Sequence, residues 1–368
     1  MFKQMVKMNK IDKLRIKMKE QNVDLIVLSP GANLNWLLGV NPHADERPLL
    51  FFLTLSGSAF LMPELEAESA RQHTDIEFYN WSDASGPLKA IDEILNDLKG
   101  FSYRTLVIDD TMRADHAALV QDKLLNSNRL FTASTIGALR MQKDATEQKI
   151  LEINAHQADL AMQKAWDIIK PGMTEEDIAS VIQNSFSDQG ALPQFSIVAS
   201  GSNSAFPHHQ TGSRELQEGD VIVIDLGGKF EGYASDITRM SSIGSPPKEY
   251  ALIHQIVEDA VCAALSVAMP GQIAKNVDKA AREVIKKAGF GKYFVHRTGH
   301  GLGSEIHEPP FITSTSETIL EPGMVFSIEP GIYMPDKFGV RLEEIVILGD
   351  NGPEILSKIS RELKVINH

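Results

Sequence analysis

Val221-Ile222-Val223-Ile224-Asp225-Leu226-Gly227-Gly228, introduced by Glu218-Gly219-Asp220, is the stretch on which the fold turns. Four consecutive β-branched residues read as a strand buried on both faces. A carboxylate at the end of such a strand costs several kcal/mol of desolvation unless it is paired, hydrogen-bonded or bound to a metal. Asp225 therefore predicts a compensating positive charge. The same grammar returns downstream: Glu321-Pro322-Gly323 introduces MVFSIEPG, and Glu329 stands six residues after Gly323, as Asp225 stands six after Gly219. Working outward, each strand follows a pair of helical segments. One pair is divided at Lys170-Pro171-Gly172 and the other at Met269-Pro270-Gly271, an offset of 99 from Pro171 to Pro270. This weak internal repeat predicts two related halves of one compact domain. A pseudo-twofold between them would bring the two acids together.

Each acidic strand is expected to turn back as a hairpin. After Gly227, Gly228 and Gly232 the chain returns through ASDITRM with Asp236, and after the Pro330-Gly331 turn through GVRLEEIVIL with Glu343 and Glu344. Strand alternation puts Arg341, Glu343 and Ile345 on one face and Leu342 and Glu344 on the other, so only one of the two glutamates faces the site. Between the hairpins lies KYFVHRTGHGLGSEIHEPP, in which a strand (YFV) leads to a glycine-spaced loop presenting His296, His300 and His307. The glycines lack the Lys-Ser/Thr pair and the following helix of a phosphate loop. Carboxylates and imidazoles on paired strands suit two divalent ions, with manganese, cobalt or zinc favoured by oxygen-rich ligation. Two such ions about 3.5 to 4 Å apart share bridging carboxylates and activate water for hydrolysis.

The first third alternates a helix (Ile11 to Gln21) with the short β-rich runs VDLIVLS, PLLFFLTLS, SAFLMP and RTLVIDD, the pattern of a small α/β layer domain. A long helical pattern begins near Arg140 to Asp144, which places the domains at 1–143 and 144–368. A net charge of −13 repels phosphate backbones and anionic lipid, so nucleic-acid and membrane partners are not expected. The longest apolar stretch, Leu49 to Leu55, falls short of the roughly 18 to 20 residues of a bilayer span, so no spanning helix is expected. MFKQMVKMNK lacks the apolar core and cleavage site of a secretory signal. The single Cys262 cannot form an internal disulfide and reads as a small buried apolar side chain on a helix. A cytoplasmic protein is the expectation.

VIVIDLGG, ASDITR, TGHGLG, SIEPG and VRLEE together resemble the pita-bread metallopeptidases, the group of methionine aminopeptidases, Xaa-Pro aminopeptidases, prolidases and creatinase. The resemblance implies an α+β pita-bread catalytic domain over 144–368 and an α/β creatinase/prolidase-like accessory domain before it. It implies two divalent metal ions: Asp225 on one, Asp236 and Glu343 bridging, His300 and Glu329 on the second. It also implies that His208, in SAFPHHQT, and His307, in IHEPP, orient the scissile amide and stabilise the tetrahedral intermediate, that Glu329 helps move the proton of the attacking water, and that His296 lines the substrate pocket. His209 is read as structural.

The implied activity is hydrolysis of the bond before proline in small peptides by a homodimer. The short first domain favours an Xaa-Pro dipeptidase, with Xaa-Pro aminopeptidase as the alternative and a non-catalytic peptide-binding module as a remoter one. Prolidases of this group often carry an arginine shortly after the pocket histidine, where this chain has Phe311. Arg341 is expected to neutralise the acidic site or to contact a substrate carboxylate. Arg47 is expected to be a solvated surface charge, or else a carboxylate contact across a dimer. Phe195 and Phe206 are candidates for lining a proline pocket.

Overall fold

The computed structural model describes residues 9–367 and divides the chain at Arg140/Met141 into two compact units. The first unit is built on a six-stranded sheet in the order β4-β3-β2-β1-β5-β6, comprising β1 (Leu25–Leu28), β2 (Leu50–Thr54), β3 (Ser58–Pro63), β4 (Glu77–Trp81), β5 (Thr105–Ile108) and β6 (Asn128–Phe131). Side chains of β1 alternate between two cores: Ile26 and Leu28 join one, Leu25 and Val27 the other. Helices α1 (Lys10–Glu20), α2 (Ala32–Leu38), α3 (Glu64–Ala70) and α6 (Ile136–Met141) contribute to the first core, and α4 (Leu88–Asp97) and α5 (Ala114–Gln121) to the second. This is the expected α/β layer domain. β4 and β6 were not foreseen: they are edge strands with exposed positions, so they lack the continuous apolar run that revealed the others.

In the second unit, α7 (Ala145–Ile168) and α8 (Glu175–Asp188) pack on one sheet, while α9 (Tyr250–Val267) and α10 (Ala274–Lys287) pack on another. The first sheet runs β18-β10-β8-β7, from β7 (Leu192–Ser200), β8 (Val221–Phe230) and β10 (Ile237–Ile243) to β18 (Lys364–Ile366), with β9 (Tyr233–Ala234) paired to the end of β8. The second runs β12-β11-β13-β16-β17, from β11 (Gly299–Gly301), β12 (Glu308–Ile312), β13 (Val325–Ile328) and β16 (Glu344–Gly349) to β17 (Gly352–Ile355); β14 (Gly331–Tyr333) and β15 (Gly339–Arg341) form a separate ribbon. The halves repeat down to their turns. Gly172 and Gly271 have φ of 84° and 82°, and Gly219 and Gly323 have 86° and 87°, a left-handed conformation that glycine adopts without strain.

Three local expectations are corrected. Residues 293–295 form no strand: local turn bonds from Tyr293 N–H to the Phe290 carbonyl and from Phe294 N–H to the Gly291 carbonyl take the donors that a sheet would use. GVRLEEIVIL is two strands, because β15 pairs with β14 and β16 with β13, leaving Leu342 and Glu343 at the step between them. Cys262 is exposed on α9, with its thiol against Glu258. α9 itself is, by length and composition, apolar enough to cross a membrane. Its Ile253, Val257, Ala260, Val261 and Ala264 are buried in the core of this unit. Residues 1–8, most of the MFKQMVKMNK segment, lie outside the described residues.

Candidate metal centre

Alternation along β8 explains the position of its carboxylate. Ile222, Ile224 and Leu226 enter the core under α7 and α8, while Val221 and Val223 face the core of the other half, and Asp225 continues their row. Asp225 is in register with Thr238 of β10, and Asp236 precedes that strand. His300 is the middle residue of β11, and its N–H donates to Ser327 Oγ at 3.0 Å. Glu329 follows β13, tethered by its N–H to the Thr298 carbonyl. Glu343 occupies the step before β16 and accepts from Thr238 Oγ1 at 2.8 Å. One donor atom each from Asp236, His300 and Glu343 lie within 4.8 Å of one another. His300 Nε2 is 3.2 Å from Glu329 Oε1 and 3.7 Å from Asp236 Oδ2. All five, Asp225 included, line one cleft of about 540 Å³.

Four carboxylates this close, three buried and Glu329 partly so, repel one another. Burial, together with the charges of Glu343, Asp225 and Glu329, pushes Asp236 well above the usual carboxylate range. Burial and the Glu329 and Asp225 charges do the same to Glu343. Asp225 is raised by burial although Arg341 opposes the shift. Burial would also raise Glu329, but the hydrogen bond and charge of His300 prevail and carry it down to about 2. Asp225 Oδ1 and Glu343 Oε1 are buried without a hydrogen-bond partner among the described residues. Orphaned carboxylate oxygens facing a shared centre with one imidazole fit hard or borderline divalent cations.

Glu344 turns away from the cleft and pairs with Arg239 at 3.0 Å and Arg361 at 2.8 Å. Arg239 Nη1 also donates to the Glu343 carbonyl, so this network fixes the backbone that aims Glu343 inward. Arg341 is 3% exposed and bonded through each of its nitrogens: Nη2 donates to Asp225 Oδ2 at 2.6 Å, Nε to Thr238 Oγ1, and Nη1 to the Pro207 carbonyl and Tyr333 Oη. It lies against the acidic site as a counter-charge to Asp225, with most of its donors committed to the protein. Tyr333 Oη also lies 2.8 Å from His296 Nε2, while His296 Nδ1 contacts the Arg297 carbonyl at 2.7 Å, an arrangement with the ring proton on Nδ1. Burial holds His296 below its ordinary value, so it is neutral at pH 7.

His208 and His307 sit at the exposed rim of the cleft. The His307 ring stands edge-on to His300 with centroids 4.2 Å apart. Desolvation of its inner face, with His300 and Arg297 nearby, pushes His307 down to about 4. The neighbouring Glu308 is instead buried against Lys143 at 2.8 Å and anchors this turn. His209 pairs with the buried Glu175 at 2.8 Å, the structural role expected of it. Phe195 lines the cleft; Phe206 is largely exposed and is not part of its wall. Arg47, in the first unit, pairs with Asp83, Asp45 and Glu46.

Sequence reasoning missed Thr238, Tyr333 and Arg297. Thr238 acts through hydrogen bonds to Arg341 and Glu343, 103 and 105 residues on, and Tyr333 by joining Arg341 to His296, 37 residues before it. Arg297 was legible only as a cation beside a pocket histidine, since its neighbours could not be read from spacing.

Comparison with known proteins finds relatives along both units. Residues 149–350 match the metallopeptidase family M24, and residues 10–142 match the creatinase/prolidase N-terminal domain. The chain is 36% identical over 348 residues to a probable dipeptidase PepE of Mycobacterium tuberculosis, covering 93% of this chain and 92% of that one. It is 35% identical to an Xaa-Pro dipeptidase of Pyrococcus furiosus, covering 96% and 99%. The crystal structure of dipeptidase PepE from Mycobacterium ulcerans superposes with a TM-score of 0.93 at 34% identity, covering 98% and 97%.

Proposed function

We infer the activity from a firm premise: the chain belongs to metallopeptidase family M24 and carries a creatinase/prolidase N-terminal domain. It is a peptidase, and the reading that goes furthest is an Xaa-Pro dipeptidase dependent on two divalent ions. One observation carries the metal part of this reading: four carboxylates, three of them buried, and one imidazole converge on a cleft with acid oxygens left unpartnered among the described residues. The substrate part is supported by the full-length likeness to an Xaa-Pro dipeptidase. Asp225, Asp236, His300, Glu329 and Glu343 would hold the ions. When bound, these would supply Lewis-acid polarisation of the scissile carbonyl and activation of water.

The remaining chemistry belongs to the side chains. Glu329, ionised at neutral pH, is the acceptor for the proton of attacking water. His307, neutral at pH 7, and His208 offer hydrogen bonds to the peptide oxygen where charge develops. Apolar Phe195 and Ile197 offer a wall for the proline ring. Manganese is the proposed ion, with cobalt and zinc as substitutes, because the donors are mostly carboxylate oxygens. A homodimer in the cytoplasm completes the reading, the first from the family resemblance and the second from the lone cysteine.

The test is hydrolysis of an Xaa-Pro dipeptide, the matching Xaa-Pro-Xaa tripeptide and an Xaa-Ala dipeptide after manganese reconstitution. Preference for the dipeptide by tenfold or more in kcat/KM is expected. Preference for the tripeptide would replace dipeptidase with aminopeptidase. Less than one equivalent of bound metal with no hydrolysis would leave only a peptide-binding module.

A further inference from the structure

A dipeptide differs from a longer peptide in carrying a free carboxylate next to its second residue, and the cleft contains one guanidinium that no protein acceptor occupies. Arg297 lines the cleft half-buried, and its guanidinium carbon lies 4.7 Å from the ring centroid of Phe311. Among the described residues its side chain has no hydrogen bond and no ion pair. Arg341, the other guanidinium on this wall, has every nitrogen committed to Asp225, Thr238, Tyr333 or the Pro207 carbonyl.

The backbone around Arg297 is held firmly. Arg282 donates to the Phe294 and His296 carbonyls at 3.2 and 2.9 Å, and Asp278 accepts from both the N–H and the hydroxyl of Thr298. Asp278 and Arg282 are themselves paired at 2.8 Å. The Cα of Arg297 is thus anchored on both sides while its charged end stays uncommitted. A cation on an aromatic face retains a donor edge in the ring plane's neighbourhood and is restrained there at small energetic gain. Such an arm is pre-organised for a bidentate carboxylate.

We propose that Arg297, resting on Phe311, is the specificity-determining residue that binds the free carboxylate of the substrate. The proposal rests on the Xaa-Pro peptidase reading above and adds to it the group that reads substrate length. Phe311 then has a definite part: it is the shelf for an arginine that reaches the pocket from the loop that leads into β11.

The experiment compares an Xaa-Pro dipeptide with the same dipeptide carrying a C-terminal carboxamide, in the wild type, Arg297→Met, Arg297→Lys and Phe311→Leu, all manganese-loaded. Arg297→Met should lower kcat/KM for the acid by about 10- to 150-fold, the worth of a hydrogen bond to a charged group. The loss should fall mainly on KM, and the carboxamide should change by less than about threefold. Arg297→Lys should restore part of the acid preference, since it keeps the charge but not the fork. Phe311→Leu should weaken acid binding a few-fold without touching the carboxamide. Equal losses on acid and carboxamide in Arg297→Met, or no loss on either, would overturn the assignment while leaving the peptidase reading intact. A wild type that cleaves neither form would overturn that reading and the assignment with it. Because Arg297 bonds to no protein group, Arg297→Met should melt with the wild type; if it does not, the acid-to-carboxamide ratio in Arg297→Lys decides the matter.

Discussion

At the scale of single residues, the site is organised by one cation and one hydroxyl. Arg341 compensates Asp225, and Thr238 accepts from Arg341 while donating to Glu343, so a bridge to each carboxylate hangs on the same pair. Removing Arg341 would strand a buried carboxylate. Arg341→Met should therefore cost about 3 to 5 kcal/mol in urea unfolding of the metal-free protein, the usual penalty for breaking one side of a buried pair. In the manganese-loaded protein the loss should be smaller, because an ion beside Asp225 supplies the missing charge. An equal loss in both states would mean that Arg341 serves packing alone. Glu344, one residue from Glu343, shows how sharply alternation sorts chemistry: it belongs to Arg239 and Arg361 on the opposite side.

At the scale of elements, the glycines of the histidine loop have a packing reason. A Cβ on Gly299 would lie 1.9 Å from the Ser327 carbonyl oxygen, and one on Gly301 would lie 2.3 Å from that of Pro309. β11 is squeezed between β12 and β13, and only glycine on either side of His300 lets the three backbones approach. Gly299→Ala should cost about 3 kcal/mol or more, at the upper end for overpacking, because the obstructing atoms are backbone. Thermal denaturation checks the cost, and a metal titration should show weakened binding, since His300 rides on the displaced strand. A variant as stable as the wild type would show that the strands can part without harm. The same compression explains why a glycine-rich stretch here signals close strand packing rather than a phosphate cradle.

At the scale of the whole molecule, the acidic centre sets the pH dependence of stability. Asp225, Asp236 and Glu343 have raised values in the folded state, so the fold binds their protons more tightly than the unfolded chain does. Without metal, stability should fall as pH rises from about 4, the unfolded carboxylate value, through those raised values. Glu329 has the opposite sign, but its contribution is lost only as pH drops from about 4.5 toward about 2, so it does not oppose the trend at neutral pH. Metal-free protein should melt at a lower temperature at pH 8 than at pH 5. At pH 8, ion at a hundredfold excess over Kd should add about 2.7 kcal/mol, a rise of roughly 5 to 10 °C. The increment should shrink at pH 5, where protons compete for the same oxygens. An increment that does not change with pH would argue against these carboxylates as the binding groups.

Much of this protein was legible in a linear reading, because acids do not end buried strands without cause. The two strands, the matching Pro-Gly turns and the order of acids and histidines pointed to a repeated α+β domain with an acidic centre, and alternation marked Glu343 and Glu344 as opposites. YFV failed as a strand because β propensity is silent about whether a partner edge exists, and Cys262 failed as a core residue because a small side chain carries little information about which helix face it occupies. What waited on the folded chain was who touches whom. Thr238 meets Glu343 across 105 residues, and the Arg341 fork closes on Asp225 across 116. That Arg341 is committed while Arg297 has no bonded partner among the described residues depends on long-range packing, which periodicity cannot encode: spacing along a strand sets the side from which a residue emerges, and only tertiary structure sets which groups meet it there.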